Sequence, residues 1–145
     1  MSEVRASYTD FFSHSFDAKG RITVPAEWRG EHFETSLFIF PSREQCLRVH
    51  PASYLGDLQM EIAKLKSADP VRKSIEDLAM TAQSATFDAQ GRIMVKEKLR
   101  ERAGLKKDVM LIGRFDHFLI WDKATWESKS IAQIPYEDAI AAAGR

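Results

Sequence analysis

A short string is written twice in this chain, and that duplication constrains the fold more than any other feature. Phe16-Asp17-Ala18-Lys19-Gly20-Arg21-Ile22 returns almost unchanged, 71 positions later, as Phe87-Asp88-Ala89-Gln90-Gly91-Arg92-Ile93. Val24 and Arg29 have their copies in Val95 and Arg100. Downstream the register slips by one, so that Leu37-Phe38-Ile39-Phe40 aligns with Val109-Met110-Leu111-Ile112. Leu47-Arg48-Val49-His50 then aligns with Leu119-Ile120-Trp121-Asp122, and Tyr54 with Trp126. Two copies are too few for a solenoid, which generally wants three or more. Two halves that share one core are expected instead.

Each half reads the same way. A short strand leads to the repeated Asp, a glycine-bearing turn follows, and a second strand alternates in character through Arg21-Ile22-Thr23-Val24 or Arg92-Ile93-Met94-Val95. Pro25 breaks the first copy, and Ala26-Glu27-Trp28-Arg29 looks like a helical turn. The run from Glu97 to Ala103 is helical and stops at Gly104, a C-terminal cap. Lys96 stands where the first half has Pro25, so a different strand exit is expected there. An apolar strand, a turn and another strand complete each half. The turns are Pro41-Ser42-Arg43-Glu44 and Gly113-Arg114-Phe115-Asp116.

Two helices are expected between the halves. Leu55, Leu58, Ile62 and Leu65 make one apolar stripe, and Val71, Ile75, Leu78 and Ala82 another. Asp69-Pro70 starts the second helix, with Asp as N-cap and Pro at its first position. Both stripes are read as core packing between halves. After Trp126 the sequence weakens to Ile134-Pro135 and an alanine-rich end, expected to be a frayed helix or tail.

Composition narrows the class. A chain of 145 residues with 44% hydrophobic content can bury a core as one compact domain or two very small ones. Lys+Arg and Asp+Glu balance at 21 each, so no overall field draws the protein to nucleic acid. DNA binding, if present, must come from locally placed cations or from many sites acting together. The lone Cys46 excludes an intramolecular disulfide and a multi-cysteine zinc site, and is read as a packing residue on a strand. No stretch approaches the roughly 20 apolar residues that span a bilayer. Met1-Ser2-Glu3-Val4-Arg5 lacks an apolar signal core, so a soluble, intracellular protein is expected.

The repeated turn is the candidate site. A three-residue hairpin loop ends in a left-handed residue, where Gly costs least, so Ala18, Lys19 and Gly20 form the loop and Asp17 faces Arg21 across its closing pair. The Asp carboxylate can accept bonds from loop N–H groups and hold the guanidinium in one orientation. If Ile22 and Val24 point inward, Arg21 lies on the opposite face beside Lys19. Asp88, Gly91 and Arg92 repeat the arrangement, with Gln90 in place of the lysine. A bland reading makes each motif a hairpin closed by a surface ion pair of little worth. The alternative uses the fixed planar fork, which matches phosphate oxygens or the O6/N7 edge of guanine. Residue chemistry alone leaves the two level.

Residues 11–127 resemble MraZ, a two-copy member of the AbrB/MazE-like superfamily. The resemblance rests on His14-Ser15-Phe16-Asp17-Ala18-Lys19-Gly20-Arg21-Ile22-Thr23-Val24-Pro25 and on the second copy from Phe87 to Ile93. Arg102-Ala103-Gly104-Leu105, Val109-Met110-Leu111-Ile112-Gly113 and Ile120-Trp121-Asp122 with Trp126 reinforce it. A single Asp-x-x-x-Arg means almost nothing; two with these flanks are highly specific. The resemblance implies a mainly β chain with capping helices (α+β), two tandem AbrB-like halves forming a swapped-hairpin or double-split β-barrel. It divides the chain into half 1 over 11–57, inter-half helices over 58–81, half 2 over 82–127 and a tail over 128–145.

The same resemblance implies a cytoplasmic, nucleoid-associated transcription regulator. Such proteins form rings of identical subunits and bind short direct repeats upstream of the division and cell-wall gene cluster. Carried over, Arg21 and Arg92 contact base or phosphate, Lys19 contacts phosphate, and Asp17 and Asp88 orient the arginines. Gly20, Gln90 and Gly91 complete the DNA-binding set. The expected partners are double-stranded promoter DNA and further copies of the chain, with no membrane, small-molecule substrate, metal or cofactor. Ring assembly would answer the neutral charge, since linked sites raise avidity by roughly 10²–10⁴.

Rival functions fare worse. His14, His32, His50 and His117 show no metal-ligand spacing, and no G-x-S-x-G, P-loop or Rossmann fingerprint occurs, so an enzyme is not expected. An antitoxin-type protein-binding module of the same superfamily is the alternative. Those usually carry one AbrB half and a long acidic tail, unlike this chain. A purely structural ring is a third reading.

Overall fold

The computed structural model describes residues 6–129 and 134–144. The reading of Met1 to Arg5, and part of the tail expected over 128–145, lie outside the described residues. The chain forms β1 (Phe11–Ser15), β2 (Arg21–Thr23), a 3-10 turn (Ala26–Trp28), β3 (Ser36–Pro41), β4 (Leu47–Pro51), α1 (Ala52–Ala63) and α2 (Pro70–Thr81). Next come β5 (Gln83–Thr86), β6 (Arg92–Met94), α3 (Glu97–Arg102), β7 (Asp108–Gly113), β8 (Phe118–Asp122), α4 (Lys123–Ser128) and α5 (Tyr136–Ala142). The fold is mixed α+β with antiparallel sheets. No helix is long and apolar enough to cross a membrane among the described residues.

Six strands form one sheet in the order β1-β7-β8-β4-β3-β5, and β2 pairs with β6 in a separate two-stranded ribbon. The outer strands β1 and β5 do not pair with each other among the described residues, so this sheet is open. Exchanging the two repeats reverses the strand order onto itself, which is the mark of a pseudo-twofold axis. It runs between β4 and β8, where Leu47 faces Ile120 and Arg48 faces Leu119, and through the ribbon where Ile22 faces Ile93. The halves interlock. β1 belongs to the first copy but pairs with β7 of the second, and β5 pairs with β3. The expected hairpin is therefore only a turn: Asp17 and Arg21 close it, but the strands on either side pair with the other half. Neither strand could fill a ladder alone, and the exchange satisfies the backbone groups that would be left.

Alternation decides the core. The inner face of the large sheet supplies Leu37, Ile39, Leu47, Val49, Val109, Leu111, Phe118 and Ile120, and the ribbon with its helical exits supplies Ile22, Val24, Trp28, Ile93, Val95 and Leu99. Trp28 packs edge-on against Tyr8 and Phe12 and donates its indole N–H to the Thr9 carbonyl at 2.9 Å. On the outer face Cys46, Met110, Ile112, Leu119 and Trp121 form a second cluster under Trp126 of α4. Cys46 is buried as a packing residue, although it sits just before β4 rather than on it. Burial pushes its thiol above the ordinary range.

Local signals are met where they depend on near neighbours. Asp69 caps α2 by accepting the Val71 N–H at 2.8 Å, with Pro70 at the first position. Gly104 ends α3 at φ +67, and the Leu105 N–H closes back on the Arg100 carbonyl at 2.8 Å. The strand exit at Lys96 does not differ from that at Pro25. Their dihedrals are φ −61, ψ 145 and φ −53, ψ 143. The helix stripes are a correction. Neither α1 nor α2 buries a residue; Val71 is 57% and Leu78 39% exposed. The sheets close their own core, so this helical pair lies outside it and only half-covers its stripes.

Candidate nucleic-acid interface

Both repeated turns fold identically around a carboxylate. Asp17 Oδ1 accepts the N–H groups of Lys19 and Arg21, each at 2.9 Å, and Oδ2 accepts Arg21 Nε at 2.7 Å. In the second copy Asp88 Oδ1 accepts the N–H groups of Gln90 and Arg92 at 2.9 Å, and Oδ2 accepts Arg92 Nε at 2.8 Å. Backbone bonds close the loops: Asp17 N–H to Arg21 O at 2.9 Å and Gly20 N–H to Asp17 O at 3.0 Å, matched at Asp88 and Gly91. Gly20 and Gly91 take φ +76 and +78, the left-handed conformation that only Gly adopts cheaply. The Arg21 amide, and then its guanidinium, hold the Asp17 carboxyl below the usual carboxylate range; Arg92 does the same for Asp88.

The consequence is a pair of aimed guanidiniums. Each uses Nε on its own Asp, which fixes the orientation of the guanidinium. Their side chains are 31% and 26% exposed for Arg21 and Arg92. The ribbon brings the two turns together: Val24 N–H bonds to Gly91 O at 3.0 Å and Val95 N–H to Gly20 O at 2.9 Å. Arg92 also lies 3.7 Å from Asp17 Oδ2, so that one carboxylate touches both arginines. All eight residues expected at the site, Asp17, Lys19, Gly20, Arg21, Asp88, Gln90, Gly91 and Arg92, thus fall on the two turns at the ends of one ribbon.

Two further arginines belong to this place. Arg29 donates Nε to the Val24 carbonyl at 2.8 Å and lies across Gly91 of the other half, where an added Cβ would meet its guanidinium carbon at 2.5 Å. Arg100 mirrors it, bonded to the Val95 carbonyl at 3.0 Å, over Gly20 and against the Phe16 ring. Sequence reasoning saw their recurrence but gave it no role. The signal was the equal spacing from Arg21 to Arg29 and from Arg92 to Arg100. Lys19, Arg21 and Arg92 lie on the turns that carry Asp17 and Asp88, and Arg29 and Arg100 lie against the glycines of those turns. No group of three or more metal-ligating side chains occurs among the described residues.

A family model described as "MraZ protein, putative antitoxin-like" matches residues 9–77 and again residues 78–142. Proteins named Transcriptional regulator MraZ from Salmonella paratyphi B, Salmonella newport and Salmonella heidelberg are each 32% identical to this chain over 117 residues. The match covers 77% of this chain and 77% of each relative.

Proposed function

The chain belongs to the MraZ family, and from that membership we propose that it is a sequence-specific DNA-binding regulator of transcription. Arg21 and Arg92 contact bases or phosphates, Lys19 contacts phosphate, and Asp17 and Asp88 hold the forks in register. Gly20 and Gly91 permit the turns, and Gln90 completes the second tip. The target is double-stranded promoter DNA with short direct repeats, upstream of the division and cell-wall gene cluster as the family resemblance implies. Such a protein works in the cytoplasm on the nucleoid. One observation carries the reading: two identical Asp-x-x-x-Arg turns, each guanidinium fixed by its own Asp, are joined on a single ribbon. Pre-ordered forks lose little freedom when they meet planar acceptors.

A finer description of the fold goes with this reading. The interlocked halves are taken as 11–57 and 82–127, joined by helices over 58–81 and followed by a tail over 128–145. Ribbon and sheet together are taken as the swapped-hairpin, double-split β-barrel of the AbrB type. Supporting it are the exchanged strands and the ribbon bonds between Gly20 and Val95 and between Gly91 and Val24. A ring of identical subunits supplies the avidity that a neutral chain needs, by roughly 10²–10⁴ when several sites reach one duplex.

The test is a gel shift with DNA from upstream of the protein's own gene. Arg21→Ala and Arg92→Ala should each weaken binding by roughly tenfold or more, with near loss in the double variant. Unchanged affinity in all three discards the site. Light scattering should report a large oligomer. The printed family description favours one second reading, a toxin-binding module. Stable capture of a toxin by the purified chain, with no DNA shift at any salt, marks that outcome.

A further inference from the structure

The ribbon has an outer face that the pseudo-twofold does not repeat faithfully. Ile22 and Ile93 oppose each other and are buried, so alternation turns Arg21, Thr23, Arg92 and Met94 outward. Arg21 stands opposite Met94, and Thr23 opposite Arg92. Side chains so opposed lie about 4.5–5.5 Å apart at Cβ. The axis exchanges Arg21 with Arg92, and Thr23 with Met94. The arginines obey it and the other two do not. Met94 is 47% exposed and joins neither hydrophobic cluster among the described residues. The loop tips break the symmetry again, with Lys19 at one and Gln90 at the other. One end of the ribbon therefore presents Lys19, Arg21 and Met94; the other presents Gln90, Arg92 and Thr23.

Resting on the DNA-binding reading above, we propose that Thr23 and Met94 are specificity-determining residues that make the ribbon read its duplex in one direction. A two-stranded ribbon fits the major groove of B-DNA, about 12 Å wide, where every base pair shows a distinct pattern of donors, acceptors and methyl groups. The two guanidinium forks seek the same thing, guanine O6 and N7, at both ends. What lies beside them differs. Met94 offers only apolar surface, whose complement in that groove is the thymine methyl group, and it leaves a polar base edge without a partner. Thr23 offers a hydroxyl that donates and accepts as well as a methyl, and so tolerates more neighbours. Gln90 can bond bidentately to adenine, which Lys19 cannot. Two equal halves would favour an inverted repeat, as symmetric dimers do. Unequal ends instead suit boxes that all run the same way, each met in the same sense by the next copy.

The experiment uses the full chain and a randomised duplex library, followed by single-box duplexes at graded salt. The native protein should select an asymmetric motif with thymine beside one guanine. Met94→Thr should weaken that thymine preference by roughly five- to thirtyfold and select a more nearly symmetric motif. Its salt dependence, set by phosphate contacts, should keep its slope. The exchanged double variant, Thr23→Met with Met94→Thr, should move the preferred thymine to the other end. A thermal melt like that of the native protein confirms that the variants fold. An unaltered base profile in Met94→Thr and in the exchange overturns the proposal. If Arg21→Ala still loses binding in that assay, the DNA-binding reading stands without it. Failure of the native protein to bind any duplex overturns both.

Discussion

His50 sits where burial works against a charged imidazole. It is 2% exposed, stacked between Tyr54 at 4.1 Å and His117 at 4.5 Å, with Arg48 Nε donating to its Nε2 at 3.3 Å. Burial first, then the fields of His117 and Arg48, push its pKa from the ordinary 6.5 down to about 3 against the opposing pull of Asp116. The unfolded chain takes up that proton near 6.5, and the folded chain only near 3. Stability is therefore complete above the first value and falls as pH drops from it towards the second. Between pH 7 and pH 4.5 the native protein should lose on the order of 2 kcal/mol in urea titrations from this group. His50→Phe should lose clearly less over the same interval, and equal losses in both would remove the assignment. At this scale the sequence was legible only where partners are close in the chain. Asp17, Gly20 and Arg21 lie within one turn, so their bonding followed from turn chemistry. Arg29 and Arg100 escaped because each acts on a glycine of the other half. Tyr8 escaped too: it is buried through a bridge to Phe115, which no local pattern announces.

Elements were legible in kind more than in company. Period-two alternation located the strands, and Asp69, Pro70 and Gly104 marked helix ends, because those signals act over a few residues. Which strand pairs with which is set by the exchange between halves, and neither β1 nor β5 carries a mark of its distant partner. The stripes of α1 and α2 misled for the same reason, since periodicity reports an apolar face and not what covers it. Gly113 ends β7 where the chain before β1 runs antiparallel close beside it. A Cβ there would lie 2.5 Å from the Tyr8 carbonyl oxygen, and the close approach is held by Gly113 N–H to Asp10 O at 2.9 Å. Backbone cannot rotate away as a side chain can. Gly113→Ala should cost about 1–3 kcal/mol, read from the urea midpoint at constant slope. A change within error would mean that this approach is looser than its distances.

For the whole molecule, exchange of strands makes the halves one unit. The first copy lacks β7 for its β1 and β8 for its β4, and the second lacks β3 for its β5. Unfolding should be a single transition, with circular dichroism and tryptophan fluorescence giving the same midpoint. Two separated steps, or an excised residue 9–77 fragment that melts cooperatively by itself, would contradict it. The same exchange governs how the chain is made. Ser15 meets Asp108 across 93 positions, so β1 leaves the ribosome long before its partner exists. At synthesis rates of about 5–20 residues per second the nascent strand waits roughly 5–20 s with an unpaired edge. During that interval its backbone groups are open to any other chain they meet, and a slower codon run ahead of Asp108 should lengthen the exposure.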